Sequence, residues 1–171
     1  CGDDVVSTYA QPTALAMVTA WAKINQSRRS MGRPDKGMGR EKEMKLAELT
    51  AWLDRYLEAE RFFDYPPNGL EVEGKAAVRR IVPAVTGSRA AIEYAVSVGA
   101  DALLVHHGWF WKGEPAPVVG MKAKRMRLMM KADMSLVAYH LPLDAHPEVG
   151  NNALLAKMLG ITLETRSGFY D

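Results

Sequence analysis

Two short apolar runs, Ala102-Leu103-Leu104-Val105 and Leu136-Val137-Ala138-Tyr139, limit what this chain can fold into more than anything else in it. A continuous apolar run of strand length, bounded by polar or turn residues, suits a strand buried in a sheet. What precedes the runs gives the connectivity. A strand is read at residues 80–85, and Ser88 stands where it can cap a helix over residues 89–98 that Gly99 closes. Strand, helix, strand makes a right-handed parallel unit. A second helix, at about residues 121–132, leads into the second apolar run and repeats the unit. Upstream, Leu46, Leu49, Leu53, Tyr56 and Leu57 recur at helical spacing and predict an amphipathic helix over residues 45–60. Asp64-Tyr65-Pro66-Pro67-Asn68-Gly69 reads as a turn. Near the end, Asn151 or Asn152 is expected to cap a helix closed by Gly160, with a further strand from Ile161 to Glu164. The expected fold is α/β, a mostly parallel sheet with flanking helices.

Both apolar runs end in histidine. The first runs into His106-His107-Gly108 and the second into His140, with Asp144 and His146 shortly after, so all four histidines of the chain fall in these two places. The carboxyl ends of strands are where open α/β sheets put their ligands. Imidazole and carboxylate together suit a borderline divalent ion such as zinc, iron, manganese, cobalt or nickel. A lone His near a core, such as His140 or His146 taken singly, is more often a hydrogen-bonded structural residue than a ligand. Adjacent side chains on a strand point to opposite faces, so if the strand continued only one of His106 and His107 could enter a common site; Gly108 lets the chain break there, and the two rings could then serve two different ions.

Composition narrows the class. The net charge of +2 divides unevenly: residues 1–43 hold 7 Lys+Arg against 5 Asp+Glu, which leaves 15 of each in residues 44–171. A neutral body does not advertise a nucleic-acid partner. Lys122, Lys124, Arg125, Arg127 and Lys131 alternate with Met121, Met126, Leu128, Met129 and Met130 and read as a solvated helix face over an apolar one. The single cysteine, Cys1, excludes a disulfide framework and any thiolate-built metal site, which fits the cytoplasm. The apolar run at residues 13–22 is too short to span a membrane, and residues 25–40 lack apolar periodicity. Residues 1–43 are expected to be a disordered leader or a translated upstream region, and residues 44–171 an amino-terminal α/β metal-binding domain.

Three motifs in order carry a resemblance. They are Pro67-Asn68-Gly69-Leu70-Glu71-Val72-Glu73-Gly74, the segment from Val105-His106-His107-Gly108 through Trp109-Phe110-Trp111-Lys112-Gly113, and the segment from His140-Leu141-Pro142-Leu143-Asp144 through Ala145-His146-Pro147-Glu148-Val149-Gly150-Asn151-Asn152. With them, residues from about 44 to 165 closely resemble the Nif-three-like (Ngg-interacting factor three) dinuclear metal family, commonly called homologues of type-two GTP cyclohydrolase. The resemblance implies an α/β fold of two related halves, a ring-shaped homohexamer, and paired divalent ions in each subunit. It makes His106, His107 and Asp144 the ligands supplied by the amino-terminal half. It also implies a His-x-x-x-Glu pair much further along, and no His follows His146 here. The chain is therefore expected to be the amino-terminal part of such a protein, with weak or single-ion binding and no GTP hydrolysis by itself.

Two functions follow from this reading. In the first, the whole protein is a metal-dependent hydrolase on a nucleotide-like substrate. His140 and His146 would then support the ligands or move protons, Trp109 and Trp111 would stack a heterocycle, and Lys112 would meet a phosphate. Packing of the aromatic rings and a solvated Lys112 explain those residues equally well. In the second, the same ligands hold iron or zinc for delivery, or in a hexameric scaffold, without turnover. Because residues 1–43 lack a packing pattern, a chain beginning at Met44 is expected to melt at the same temperature as the full chain. A large loss of stability would show that the run at residues 13–22 docks on the core.

Overall fold

The computed structural model describes residues 43–162. The expectations for the leader, and for Leu163 and Glu164 of the last strand, lie outside the described residues. Within them the chain runs β1 (Met44–Lys45), α1 (Leu46–Tyr56), a 3-10 turn (Ala59–Arg61), β2 (Gly69–Val72), β3 (Ala77–Val78), β4 (Ile81–Thr86), α2 (Arg89–Ser97), β5 (Ala102–His107), α3 (Gly120–Lys131), β6 (Ser135–Ala138), α4 (Leu141–Ala145) and α5 (Asn151–Leu159). The main sheet has the order β2-β6-β5-β4. β4 pairs with β5 and β5 with β6 in parallel, while β2 joins the edge of β6 antiparallel. This is the expected α/β architecture with a mostly parallel sheet.

The two apolar runs are covered on both faces. Side chains alternate across a strand, so Ala102, Leu104, Val137 and Tyr139 join Leu49, Leu53 and Leu154 in one core, under α1 and α5. Leu103, Val105, Leu136 and Ala138 join Ile92, Ala95 and Met129 in the other, under α2 and α3. Each fully buried Leu or Val contributes about 1.5–3 kcal/mol relative to exposure. At the amino-terminal end of the sheet Asp101 accepts the backbone N–H groups of Arg79 and Arg80 and the Lys75 ammonium. Burial works against its charge, but these donors together hold its carboxyl below the usual carboxylate range.

Boundaries differ where local geometry overrides periodicity. α1 stops at Tyr56 rather than at 60 because Glu58 takes a left-handed conformation, φ 52°, that an α-helix cannot continue. Ser88 caps α2 as expected, its hydroxyl accepting the N–H of Ala91. Asn151 and Asn152 do not cap α5: Gly150 holds that position, and the Asn151 amide is spent on Asp144. Gly160 closes α5 with φ 66°, but Ile161 and Thr162 form no strand. β2 falls in a stretch that the sequence marks only as the end of a turn and as part of a motif; four residues on a sheet edge give too little alternation to show. In α3 the mixed Lys/Met pattern resolves into a buried Met129, exposed Met121 and Met130, and a Lys122 that reaches Glu114 and covers the Phe110 ring at 4.6 Å.

β2 also anchors the segment that leaves β5. The Glu71 carboxylate accepts the N–H of Trp109 at 2.8 Å. It lies so close to Gly108 that a Cβ added there would push the carboxyl group aside. Burial pushes the Glu71 carboxyl up to about 7, against the opposing pull of the Trp109 and Phe110 N–H groups. A raised acid is bound more tightly by protons in the folded chain than in the unfolded one. Its contribution to stability is full below about pH 4.5 and is lost as pH rises through about 7. Glu71→Gln keeps an acceptor for Trp109 without the charge. The melting temperature of the variant relative to the parent chain should therefore climb across that window. A difference that stays flat with pH would show that Glu71 does not change its proton affinity on folding.

Candidate metal centre

The parallel register places the ends of β5 and β6 side by side, Val105 opposite Ala138. His106 and His107 close β5, and the chain leaving β6 passes through Tyr139 to His140 before α4 begins. One ligand atom from each of His106, His107 and His140 lies within 4.8 Å of the others. The rings sit at centroid separations of 4.4 Å (His106 to His107), 4.9 Å (His106 to His140) and 5.7 Å (His107 to His140). Asp144, in the first turn of α4, brings a carboxylate oxygen to 3.6 Å from His106 Nε2.

The strand continues through His107, yet both adjacent rings reach this one cluster, which corrects the expectation that a continued strand would separate them. Each ring is tied to a different neighbour at the strand end. His106 Nδ1 meets the Tyr139 carbonyl at 3.1 Å, beside β6, and His107 Nδ1 meets the Thr86 hydroxyl at 3.2 Å, at the end of β4. His140 Nδ1 meets the Asp64 carboxylate at 2.9 Å. A carbonyl or carboxylate only accepts, so His106 and His140 donate through Nδ1 and their Nε2 lone pairs are left for the cluster.

Electrostatics favours the uncharged form of His106 and of His107. Burial holds His106 below the ordinary imidazole range; Asp144 pulls the other way, while His107 and His140 reinforce the burial. Burial and then His140 lower His107. Neutral imidazole is the form that ligates. Asp144 is itself fixed by Asn151, whose Nδ2 donates to Oδ1 at 2.6 Å.

The remaining expected residues fall in different places. His146 is not among the clustered rings: its Nδ1 accepts the N–H groups of Glu148 and Val149 and its Nε2 faces the Tyr56 carbonyl at 3.1 Å. Trp109 is buried, with its indole N–H on the Gly87 carbonyl at 2.6 Å, so its ring packs the core instead of facing solvent. Trp111 stands edge-on to His140 at 5.0 Å and 6.0 Å from His107, a half-buried wall of the cluster. Lys112 is exposed and lines an open groove of about 840 Å³ with Phe62, Phe63, Tyr65 and Pro66. Asp64, Thr86 and Asn151 are site residues that sequence reasoning misses. Their sequence surroundings are a proline turn, a strand end and a helix start, and their roles arise only from partners elsewhere along the chain.

Comparison with known proteins identifies the family of the chain. A profile of the Duf34/NIF3 family, NGG1p interacting factor 3, matches residues 44–168. The chain is 57% identical over 119 residues to a protein of Pseudomonas aeruginosa named GTP cyclohydrolase 1 type 2 homolog, covering 70% of this chain and 47% of that one. An Escherichia coli protein of the same name is 52% identical over 120 residues, covering 70% and 49%. Among solved structures, protein ybgI, described as of unknown function, superimposes with TM-score 0.69 at 52% identity, covering 70% of this chain and 48% of that chain. A protein from Thermus thermophilus gives TM-score 0.69 at 44% identity, covering 73% and 52%. The chain thus spans about half the length of the relatives it matches, and over that half it belongs to the Duf34/NIF3 family.

Proposed function

We propose that His106, His107 and Asp144, with His140 beside them, hold a divalent metal ion, and that the whole protein is a metal-dependent hydrolase acting on a nucleotide-like substrate. The observation that carries the reading is the convergence of three imidazoles, at least two of them oriented through Nδ1 so that Nε2 faces inward, next to a carboxylate. This donor set fits a borderline ion: nitrogen ligands dominate, one hard oxygen is added, and burial disfavours the charged form of His106 and His107. When bound, such an ion supplies a Lewis acid and lowers the pKa of a bound water. A second ion, as the family resemblance implies, would need donors beyond these four residues.

This chain's own residues perform the rest. Asn151 orients Asp144, and Tyr139 and Thr86 orient His106 and His107. Trp111 flanks the His107 and His140 rings. Lys112, which lines the neighbouring groove, is the cation that would meet a phosphate. Assembly into a homo-oligomer belongs to the same proposal; the exposed Leu155, Met158, Leu159 and Ile161 at the end of α5 form an apolar surface that supports it. Among the described residues no helix is long and apolar enough to cross a membrane.

Titration of the chain with zinc or cobalt tests the metal site. His107→Ala and Asp144→Ala should each weaken binding by more than the about 10–100-fold typical of residues that merely support ligands. His146→Ala, whose nitrogens are engaged elsewhere, should change it far less. Equal losses from all three would make His146 a ligand, and absence of binding by the parent chain would overturn the proposal. Metal-dependent turnover of a nucleotide by a full-length relative, lost in the variant equivalent to His107→Ala, separates the hydrolase from a metal carrier.

A further inference from the structure

The segment between α1 and β2 reads as a turn in sequence, but its side chains point at the metal centre. Asp64 has a side chain only 1% exposed, yet all its partners are accounted for. Its Oδ1 accepts the backbone N–H of Tyr65 at 2.7 Å and His140 Nδ1 at 2.9 Å; its Oδ2 accepts the N–H of Leu141 at 2.8 Å and the Asn68 amide at 3.2 Å. Asn68 in turn accepts the backbone N–H of His140 at 2.8 Å. Two side chains of one short loop therefore grip the backbone on both sides of His140 and the inner nitrogen of its ring.

An isolated carboxylate in such a place would be protonated. Here both oxygens are met by donors, the His140 ring, the Leu141 N–H, the Asn68 amide and the Tyr65 N–H, which is the surrounding of an ionised carboxylate. A carboxylate in that position accepts a hydrogen bond and donates none, so the Nδ1 it touches must carry hydrogen. With Nδ1 taken by Asp64, Nε2 is the nitrogen that His140 has left to offer to His106 and His107.

We propose that Asp64 is a positioning residue that fixes His140 in the Nδ1–H tautomer and presents its Nε2 to the cluster, making His140 a ligand of the centre. The inference rests on the metal-site reading above only for the last clause; the tautomer belongs to the metal-free chain. It also gives the proline turn a task. Pro66 and Pro67 stiffen the loop between the two gripping side chains, so that Asp64 and Asn68 are held ready and need not be ordered when an ion binds.

The decisive measurement is nitrogen NMR of the imidazole rings in the metal-free 171-residue chain at about pH 8.5, above the ordinary imidazole range, with His140 assigned by His140→Gln. The Nδ1–H tautomer is expected for His140, although the Nε2–H form is the usual one for a free neutral ring. An Nε2–H tautomer in the parent chain overturns the proposal, whether or not any variant folds. Asp64→Asn should return the ring to the Nε2–H form or a mixture and weaken zinc binding by about 10–100-fold. In a chain that already carries His140→Gln, adding Asp64→Asn should cost no further affinity, because the two residues act through one ring. Additive losses would show that Asp64 acts on the fold and not through His140. If zinc fails to bind the parent chain while the tautomer is as expected, the metal reading falls and the positioning of His140 stands.

Discussion

The pairing of β5 with β6 is the interaction on which the rest of the molecule depends. Both strands are apolar along most of their length, so they are stable only when a helix layer covers each face, and the two cores supply those layers. The parallel register then has a chemical result. Ala102 opposite Ser135 and Val105 opposite Ala138 bring the two carboxyl ends level, so the residues that follow each strand meet. A one-residue slip would move every side chain of a strand to the other face. It would part His106 from the Tyr139 carbonyl as surely as it would expose Leu103.

The centre that results is rigid because its side chains are held from behind by groups on several elements. Tyr139 follows β6, Thr86 ends β4, Asp64 precedes β2, and Asn151 opens α5. Ring orientation is thereby set by the packing of the whole sheet and not by local rotamer preference. Burial acts on the same rings by disfavouring charge at His106 and His107, which readies them for a cation without a proton having to leave first.

The segment Gly108 to Gly113 shows how a loop can be as fixed as a strand. It is tied by the Glu71 carboxylate to the Trp109 N–H, by the Trp109 indole to Gly87, by the Trp111 indole to Gly108, and by the Lys112 N–H to the Tyr65 carbonyl at 3.0 Å. The last tie joins it to the Asp64 loop, so the two segments flanking the histidines are held to each other. Of the two tryptophans in this segment, Trp109 is core and Trp111 edges the histidine cluster.

Much of the fold was legible in the residues alone. The apolar runs gave the buried strands, 3.6-residue spacing gave α1, Ser88 and Gly99 bounded α2, and the histidines at the strand ends marked the site, because these signals arise from contacts within a few residues or from the bare need to bury apolar surface. The three family motifs placed the chain among its relatives. What only the tertiary structure decided was which polar groups face one another. Asp64 and His140 are 76 residues apart and Glu71 and Trp109 are 38 apart. No local period records such pairings; they exist only once the sheet order β2-β6-β5-β4 has laid distant segments together. The same holds for His146 and Asn151, read from the sequence as a residue supporting the ligands and as a helix cap until packing gave them to Tyr56 and Asp144. Residue order dictates which groups must be buried, and the assembled layers decide which partner satisfies each of them.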